Sequence, residues 1–280
     1  MALVTTREML LDAQRRGYAV GAFNIENMEM AQAVIAAAQA QHAPVILQTT
    51  AGTLKYAGPG TYCAIAASLA AKAGVPVAMH LDHGDSYDLA ARCLIAGYTS
   101  VMIDGSRLSF EDNIALTRRV TALAALAGVP VEAELGTVGG KEDSLQEAGR
   151  QYTEPDKAAV FAKQAGISSL AVAIGTAHGV YKEKPRLDVE RLKEIRRAVS
   201  IPLVLHGASG LTDEQVKACI KEGICKVNFA TELRMAYTQG VTEALAQRPF
   251  DPKAYGKAGR ARVQALVEKW MAVCGASGKA

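Results

Sequence analysis

Residues 80–84 read HLDHG, two histidines around an aspartate directly behind the apolar run GVPVAM, in a chain of 280 residues that holds five histidines. Imidazole and carboxylate side by side suit general acid–base work or metal ligation. His178 in TAHGV and His206 in LVLHGASG also follow apolar runs, and only His42 is placed differently. A lone histidine in such a place is most often a hydrogen-bonded core or capping residue. Three of them at one end of a sheet could give three neutral nitrogens to a single Zn²⁺ and leave a coordination position open, as catalytic zinc sites do. His83, His178 and His206 form no zinc motif by spacing, so this reading depends on the fold that would gather them.

Eight short apolar segments could do the gathering: YAVGAF (18–23), PVILQ (44–48), PVAMH (76–80), TSVMI (99–103), PVEAEL (130–135), SLAVAIG (169–175), PLVLHG (202–207) and ICKVNF (224–229). Nearly continuous apolar runs are expected of strands covered on both faces. Helical periodicity fills the intervals at 27–41, 61–73, 86–96, 110–127, 155–166, 187–198 and 212–222, and 231–248 follows the last segment. This alternation predicts an α/β fold, a (β/α)₈ TIM barrel forming one domain over residues 1–280, with an extra C-terminal helix past residue 250. A doubly wound open sheet is the alternative, but no GxGxxG follows the first segment.

In a barrel, functional groups come from the C-terminal strand ends. His80, Asp82 and His83 follow the third strand, Asp104 the fourth and His178 the sixth, while Glu134, His206 and Asn228 end the fifth, seventh and eighth. His80 and Asp82 share strand parity and should both point inward, His80 as a core residue or as support for a ligand. Asp104 and Glu134 would orient metal ligands, form a second metal site, or cap helices. The loops HGASG (206–210) and NFAT (228–231) place small residues where barrels often bind phosphate on backbone N–H groups. The polar, glycine-rich stretch 136–155 has the length of a functional lid or of a disordered segment.

Composition narrows the partners. With 31 basic and 28 acidic residues and a net charge of +3, nothing points to nucleic acid or to a membrane. The five cysteines are scattered, with no CxxC pair, as expected in a reducing cytoplasm. The N-terminus lacks a signal-peptide core, and no apolar run is long enough to span a bilayer.

AFN (22–24), HLDHG (80–84), SVMIDGS (100–106), VEAELGTVGGKED (131–143), AVAIGTAHGVY (171–181), LVLHGASG (203–210) and KVNFATEL (226–233) resemble, in order and spacing, the class II zinc-dependent ketose-bisphosphate aldolases. Within that family the likeness is greatest to the tagatose- and fructose-1,6-bisphosphate enzymes. The resemblance implies reversible cleavage of a ketose 1,6-bisphosphate to dihydroxyacetone phosphate and glyceraldehyde 3-phosphate. It implies one catalytic Zn²⁺ per chain on His83, His178 and His206, with a monovalent cation as a further candidate. Asp82 would be the acid/base at the C4 hydroxyl, and Glu142 would exchange a proton with the triose phosphate carbon. Gly179, Gly207, Ala208, Ser209, Asn228, Phe229, Ala230 and Thr231 match triose phosphate positions, with Asn24 also on the substrate. Thr50 follows the tagatose-type pattern, whereas Arg260 follows a fructose-type arginine that reaches the far phosphate in a neighbouring subunit, which implies a homodimer or homotetramer. Three alternatives stay open: a Schiff-base aldolase using Lys226, a related class II enzyme for another phosphorylated keto sugar or keto acid, and a non-catalytic partner subunit.

Overall fold

The computed structural model describes residues 2–140, 151–179, 181 and 185–280. Strands β1 (Val20–Asn24), β2 (Val45–Thr49), β3 (Val77–Gly84), β4 (Ser100–Ile103), β5 (Val131–Leu135), β6 (Ser169–Val172), β7 (Leu203–Leu205) and β8 (Ile224–Phe229) are buried along their whole lengths. They close into a parallel barrel in the order β1-β8-β7-β6-β5-β4-β3-β2. Helices α1 (Thr6–Arg16), α2 (Met28–Gln41), α3 (Ala51–Ala70), α4 (Tyr87–Ala96), α5 (Phe110–Leu126), α6 (Pro155–Ala165), α7 (Val189–Ala198), α8 (Asp213–Lys221), α9 (Thr231–Leu245) and α10 (Pro252–Val273) surround it. The architecture is a (β/α)₈ TIM barrel, and α10 is the extra C-terminal helix, packed on α2 and α9.

Local chemistry starts the helices at the strand exits. Asn27, Thr50, Ser86, Ser109, Asp188 and Thr212 each accept a hydrogen bond from a first-turn backbone N–H, a cap worth about 0.5–2 kcal/mol. The barrel differs from expectation at two helices. The chain before β1 forms α1, absent from the sequence reading because its periodic stretch precedes the first strand rather than linking two. It lies under the N-terminal end of the barrel, where the Thr6 hydroxyl donates to Ser100 Oγ at 2.9 Å. Helix α3 starts at Ala51 instead of residue 61. Gly58, at φ 75°, breaks the helical geometry and Pro59 opens the next turn, so a local stop signal sits inside one kinked helix.

Strand register decides what faces the barrel axis. Asn24 lies beside Gln48, Gln48 beside His80, Ala22 beside Asn228 and Val20 beside Lys226. TIM-barrel interiors are normally layers of Val, Ile and Leu. Here the apolar cluster inside the barrel comprises Met102, Ala171 and Val204, apart from the large core between strands and helices. Gln48, His80, Asp82, Glu132, Glu134, His206 and Lys226 are all buried polar residues on these strands or at their ends. A barrel filled this way must satisfy each polar group internally.

Candidate active site

β3 ends in an unusual turn. His83 adopts φ 44°, and among the described residues His42 is the only other non-glycine with positive φ. Such a conformation costs about 1–3 kcal/mol and persists where surrounding contacts enforce it. Here Asp104 Oδ2, just past β4, sits 2.8 Å from His83 Nδ1. Across the mouth, His206 Nε2 is 2.9 Å from Glu132 Oε1 of β5. A carboxylate only accepts, so the proton of each ring is on the nitrogen facing its carboxylate. The other ring nitrogens, His83 Nε2 and His206 Nδ1, face each other at 2.7 Å. With neither protonated, their lone pairs repel unless a cation offsets them.

His178 completes the group. Its ring centroid is 4.8 Å from that of His83 and 6.1 Å from that of His206, and one ligand nitrogen from each of the three lies within 4.8 Å of the others. Burial, reinforced by the neighbouring His83, holds His178 and His206 well below the usual imidazole range, so both are neutral at pH 7. Two neutral imidazoles beside a third ring, His83, in a buried trio fit the donor set of a catalytic Zn²⁺. His178 owes its place to paired loops. Ala177–His178 forms a short parallel ladder with Gly139–Gly140. At Gly140, φ is 91° and a Cβ would collide with the His178 backbone. Tyr181 adds a clamp: its hydroxyl accepts from Ala177 N–H at 2.9 Å and donates to the Gly207 carbonyl at 2.8 Å.

Asp82 lies beside the trio and is 1% exposed. Its Oδ2 accepts from Asn24 Nδ2 at 2.8 Å and Gln48 Nε2 at 3.3 Å, and its Oδ1 from Asn228 Nδ2 at 3.0 Å. Burial opposes ionisation, but His83, Lys226 and the Asn24 bond outweigh it and keep the carboxyl below the usual carboxylate range. An ionised carboxylate held by three amides can accept a proton from a hydroxyl placed against it. Next to it opens a small pocket lined by Asn24, His178, Gly179, Gly207, Ser209, Asn228, Ala230, Thr231 and Arg234. Thr231 is the first residue of α9, so the wall of this pocket includes a helix N-terminus, a natural seat for an anion. Asn228 Oδ1 is buried with no partner among the described residues, an acceptor suited to a ligand hydroxyl.

Residues 4–279 match the family described as fructose-bisphosphate aldolase class-II. The chain is a class II aldolase. Members of this family are metal-dependent carbon–carbon lyases. The YdjI aldolase of Escherichia coli K12 superposes on it with a TM-score of 0.89 at 37% identity, with 99% of each chain covered. A candidate fructose-1,6-bisphosphate aldolase of Coccidioides immitis gives 0.89 at 32% identity, with 97% of this chain and 96% of that one covered. The fold alone is shared with a fructose-bisphosphate aldolase of Campylobacter jejuni, at 0.85 and 24% identity, with 100% of this chain and 97% of that one covered.

In this class II aldolase the remaining residues singled out in the sequence take distinct places. Asp104, which burial pushes up, is pulled far down by its bonds to His83 and to Ser106 N–H. Glu134 Oε1 accepts from Val138 N–H at 3.1 Å and its Oε2 lies 4.0 Å from His206 Nδ1. With His83 these two carboxylates make a second group whose ligand atoms lie within 4.8 Å of one another. Ser209 Oγ accepts from Ala230 N–H, and Ala208 is buried behind the loop. The Phe229 ring is stacked between Phe23 and Trp270, at centroid distances of 5.5 and 4.5 Å, so only its backbone can serve a ligand. Arg260 donates to Gln32 of α2 at 3.0 Å and is not among the residues lining the pocket. Glu142 lies outside the described residues.

Lys226 is fully buried, with Nζ 2.8 Å from Glu132 Oε2 and 3.2 Å from His80 Nε2. An ion-paired amine in such a place is a poor nucleophile, against the Schiff-base alternative. The aldolase pocket also holds a residue that the sequence reading overlooked. Arg234 lines it, its Nε donating to Glu26 Oε1 at 2.7 Å, while Glu26 Oε2 accepts from Thr53 and Thr53 pairs with Thr50. The signal was present: Arg234 stands three residues after Thr231 on α9, hence on the same helix face.

Proposed function

We propose that this aldolase reversibly cleaves a ketose 1,6-bisphosphate, tagatose- or fructose-1,6-bisphosphate, to dihydroxyacetone phosphate and glyceraldehyde 3-phosphate, with one Zn²⁺ per chain on His83, His178 and His206. One observation carries the reading: His83 and His206, each bonded to a carboxylate, bring ring nitrogens to 2.7 Å of each other within a group that includes His178, directly beside Asp82. When bound, the metal supplies positive charge that stabilises the electron pair left by C–C cleavage.

The chain's own residues do the rest. Asp82 takes the C4 hydroxyl proton as the C4 oxygen becomes a carbonyl and the C3–C4 electron pair moves to C3. In the reverse direction it returns that proton to the aldehyde oxygen. Asn24, Gln48 and Asn228 hold the carboxylate in line, and Asn228 Oδ1 can accept from a substrate hydroxyl. Backbone N–H groups at Gly179, Gly207, Ala208, Ser209, Phe229 and Thr231 hold the first phosphate beside Ala230, whose own N–H is on Ser209 Oγ, with the α9 dipole and Arg234 adding positive potential. Thr50, tied through Thr53 and Glu26 to Arg234, lines up the far part of the sugar. Glu142 is the group we assign to proton exchange on the triose phosphate carbon.

The test is cleavage of both bisphosphates by the purified chain alone, metal-free and after Zn²⁺ addition. We expect no turnover without metal and restoration at about one Zn²⁺ per chain. Full activity of metal-free protein would overturn the zinc reading. Metal-dependent binding with neither sugar cleaved would move the substrate to another phosphorylated keto sugar or keto acid.

A further inference from the structure

Beneath the histidines the barrel axis holds a charge pair that the proposed reaction leaves without a role. Lys226 and Glu132 are 0% and 2% exposed, and burying charges is costly unless every bond is made. Here the bonds form one continuous chain. Lys226 Nζ reaches Glu132 Oε2 at 2.8 Å and His80 Nε2 at 3.2 Å, His80 Nδ1 reaches Ser100 Oγ at 2.8 Å, and Ser100 Oγ accepts from Thr6. The other Glu132 oxygen, Oε1, is on His206 Nε2 at 2.9 Å.

Donor and acceptor types fix the direction of each bond. An ammonium only donates, so His80 Nε2 accepts and its ring proton is on Nδ1, bonded to Ser100. A carboxylate only accepts, so His206 carries its proton on Nε2. Asn228 Nδ2, which donates to Asp82 Oδ1 at 3.0 Å, lies 3.3 Å from the same nitrogen, farther than the Glu132 oxygen at 2.9 Å. His206 Nδ1 is thereby the lone-pair atom at the mouth.

We propose that Lys226 and Glu132 are positioning residues for the metal site: Glu132 locks the His206 tautomer and ring orientation, and Lys226, braced by His80, holds Glu132 in the one rotamer that does so. The inference rests on the zinc reading above. It makes a specific claim about Glu132→Gln. In that variant Lys226 can only donate, so it takes the amide oxygen and turns the amide NH₂ toward His206 Nε2. That nitrogen must then accept, and the ring proton moves to Nδ1, the ligand atom. Removing the lysine as well, in Glu132→Gln with Lys226→Met, frees the amide to turn its oxygen to His206 and restores the tautomer.

The measurement is Zn²⁺ affinity of the metal-free proteins by competition with a chromophoric chelator, together with ¹⁵N-histidine NMR of the His206 ring. Glu132→Gln should lose about 10- to 100-fold in affinity, in the usual range for partners of metal-ligating histidines, and should show His206 protonated at Nδ1. The double variant should regain most of the affinity and the Nε2-protonated form. A merely structural role predicts that the double variant is the worse of the two. Wild-type His206 protonated on Nδ1, or Glu132→Gln binding Zn²⁺ as tightly as wild type, would overturn the proposal even if one variant fails to fold. His206→Ala is the control for the reading beneath it. If that variant binds Zn²⁺ like wild type, the metal site itself is wrong. If it does not, while Glu132→Gln does, only the positioning role falls.

Discussion

Asp82 is the residue on which base chemistry converges, because three side-chain amides donate to it and hold the carboxylate at the mouth of the pocket. Asp82→Ala should leave Zn²⁺ affinity nearly unchanged and reduce cleavage by about 10²- to 10⁴-fold, the usual contribution of general acid–base catalysis. Turnover within a few-fold of wild type, measured on zinc-loaded protein, would remove Asp82 from the role. At this scale the sequence was legible wherever a polar residue ended an apolar run: His83, His178, His206, Asp82 and Asn228 all meet at one mouth. The supporting residues were not. Gln48 and Glu132 sit inside strands, and Lys226, singled out only as a Schiff-base candidate, does too; only pairing across the closed barrel reveals that these side chains reach Asp82, His206 and His80. Arg234 and Tyr181 act across loops from different strands, a proximity that no local pattern encodes.

Strands were readable because a covered parallel sheet demands unbroken apolar runs, and seven loops each return the chain to that sheet. Helix α3 shows the limit. A glycine-proline pair forbids one regular helix but permits two segments joined at a kink, and tertiary packing chose the second. The short ladder between Gly139–Gly140 and Ala177–His178 was equally hidden, yet it is the element that carries His178 to the other histidines. Gly140→Ala tests that element. Both its φ of 91° and the closeness of the His178 backbone penalise a side chain there. A strain of about 1–3 kcal/mol released by letting the ladder part corresponds to about a 5- to 150-fold loss of Zn²⁺ affinity. The thermal midpoint of the metal-free protein should move little, because the barrel strands are untouched. A variant with unchanged affinity would show that His178 is placed by Tyr181 and the loop after β7 alone.

At the scale of the whole molecule the question is whether one chain makes a complete site. The pocket and the histidines come from a single barrel, whereas the arginine expected on the far phosphate, Arg260, is on the outer helix α10 with its guanidinium on Gln32 of α2. In that position it braces the α2–α10 contact of its own chain, whereas the family resemblance would have it reach the far phosphate of a substrate held by a neighbouring subunit. The two roles separate in the kinetics. A charge-assisted pair with phosphate is worth about 1.5–3 kcal/mol, so Arg260→Ala should lower kcat/KM for a bisphosphate by about 10- to 150-fold. Proton exchange on dihydroxyacetone phosphate, which has no second phosphate, should hardly change. Mixing Arg260→Ala with Asp82→Ala under subunit exchange should then recover activity, because hybrid assemblies contain sites with an intact Asp82 from one chain and an intact Arg260 from the other. Equal losses in cleavage and exchange, without recovery on mixing, would confine Arg260 to bracing α2 and make the single barrel the complete catalytic unit.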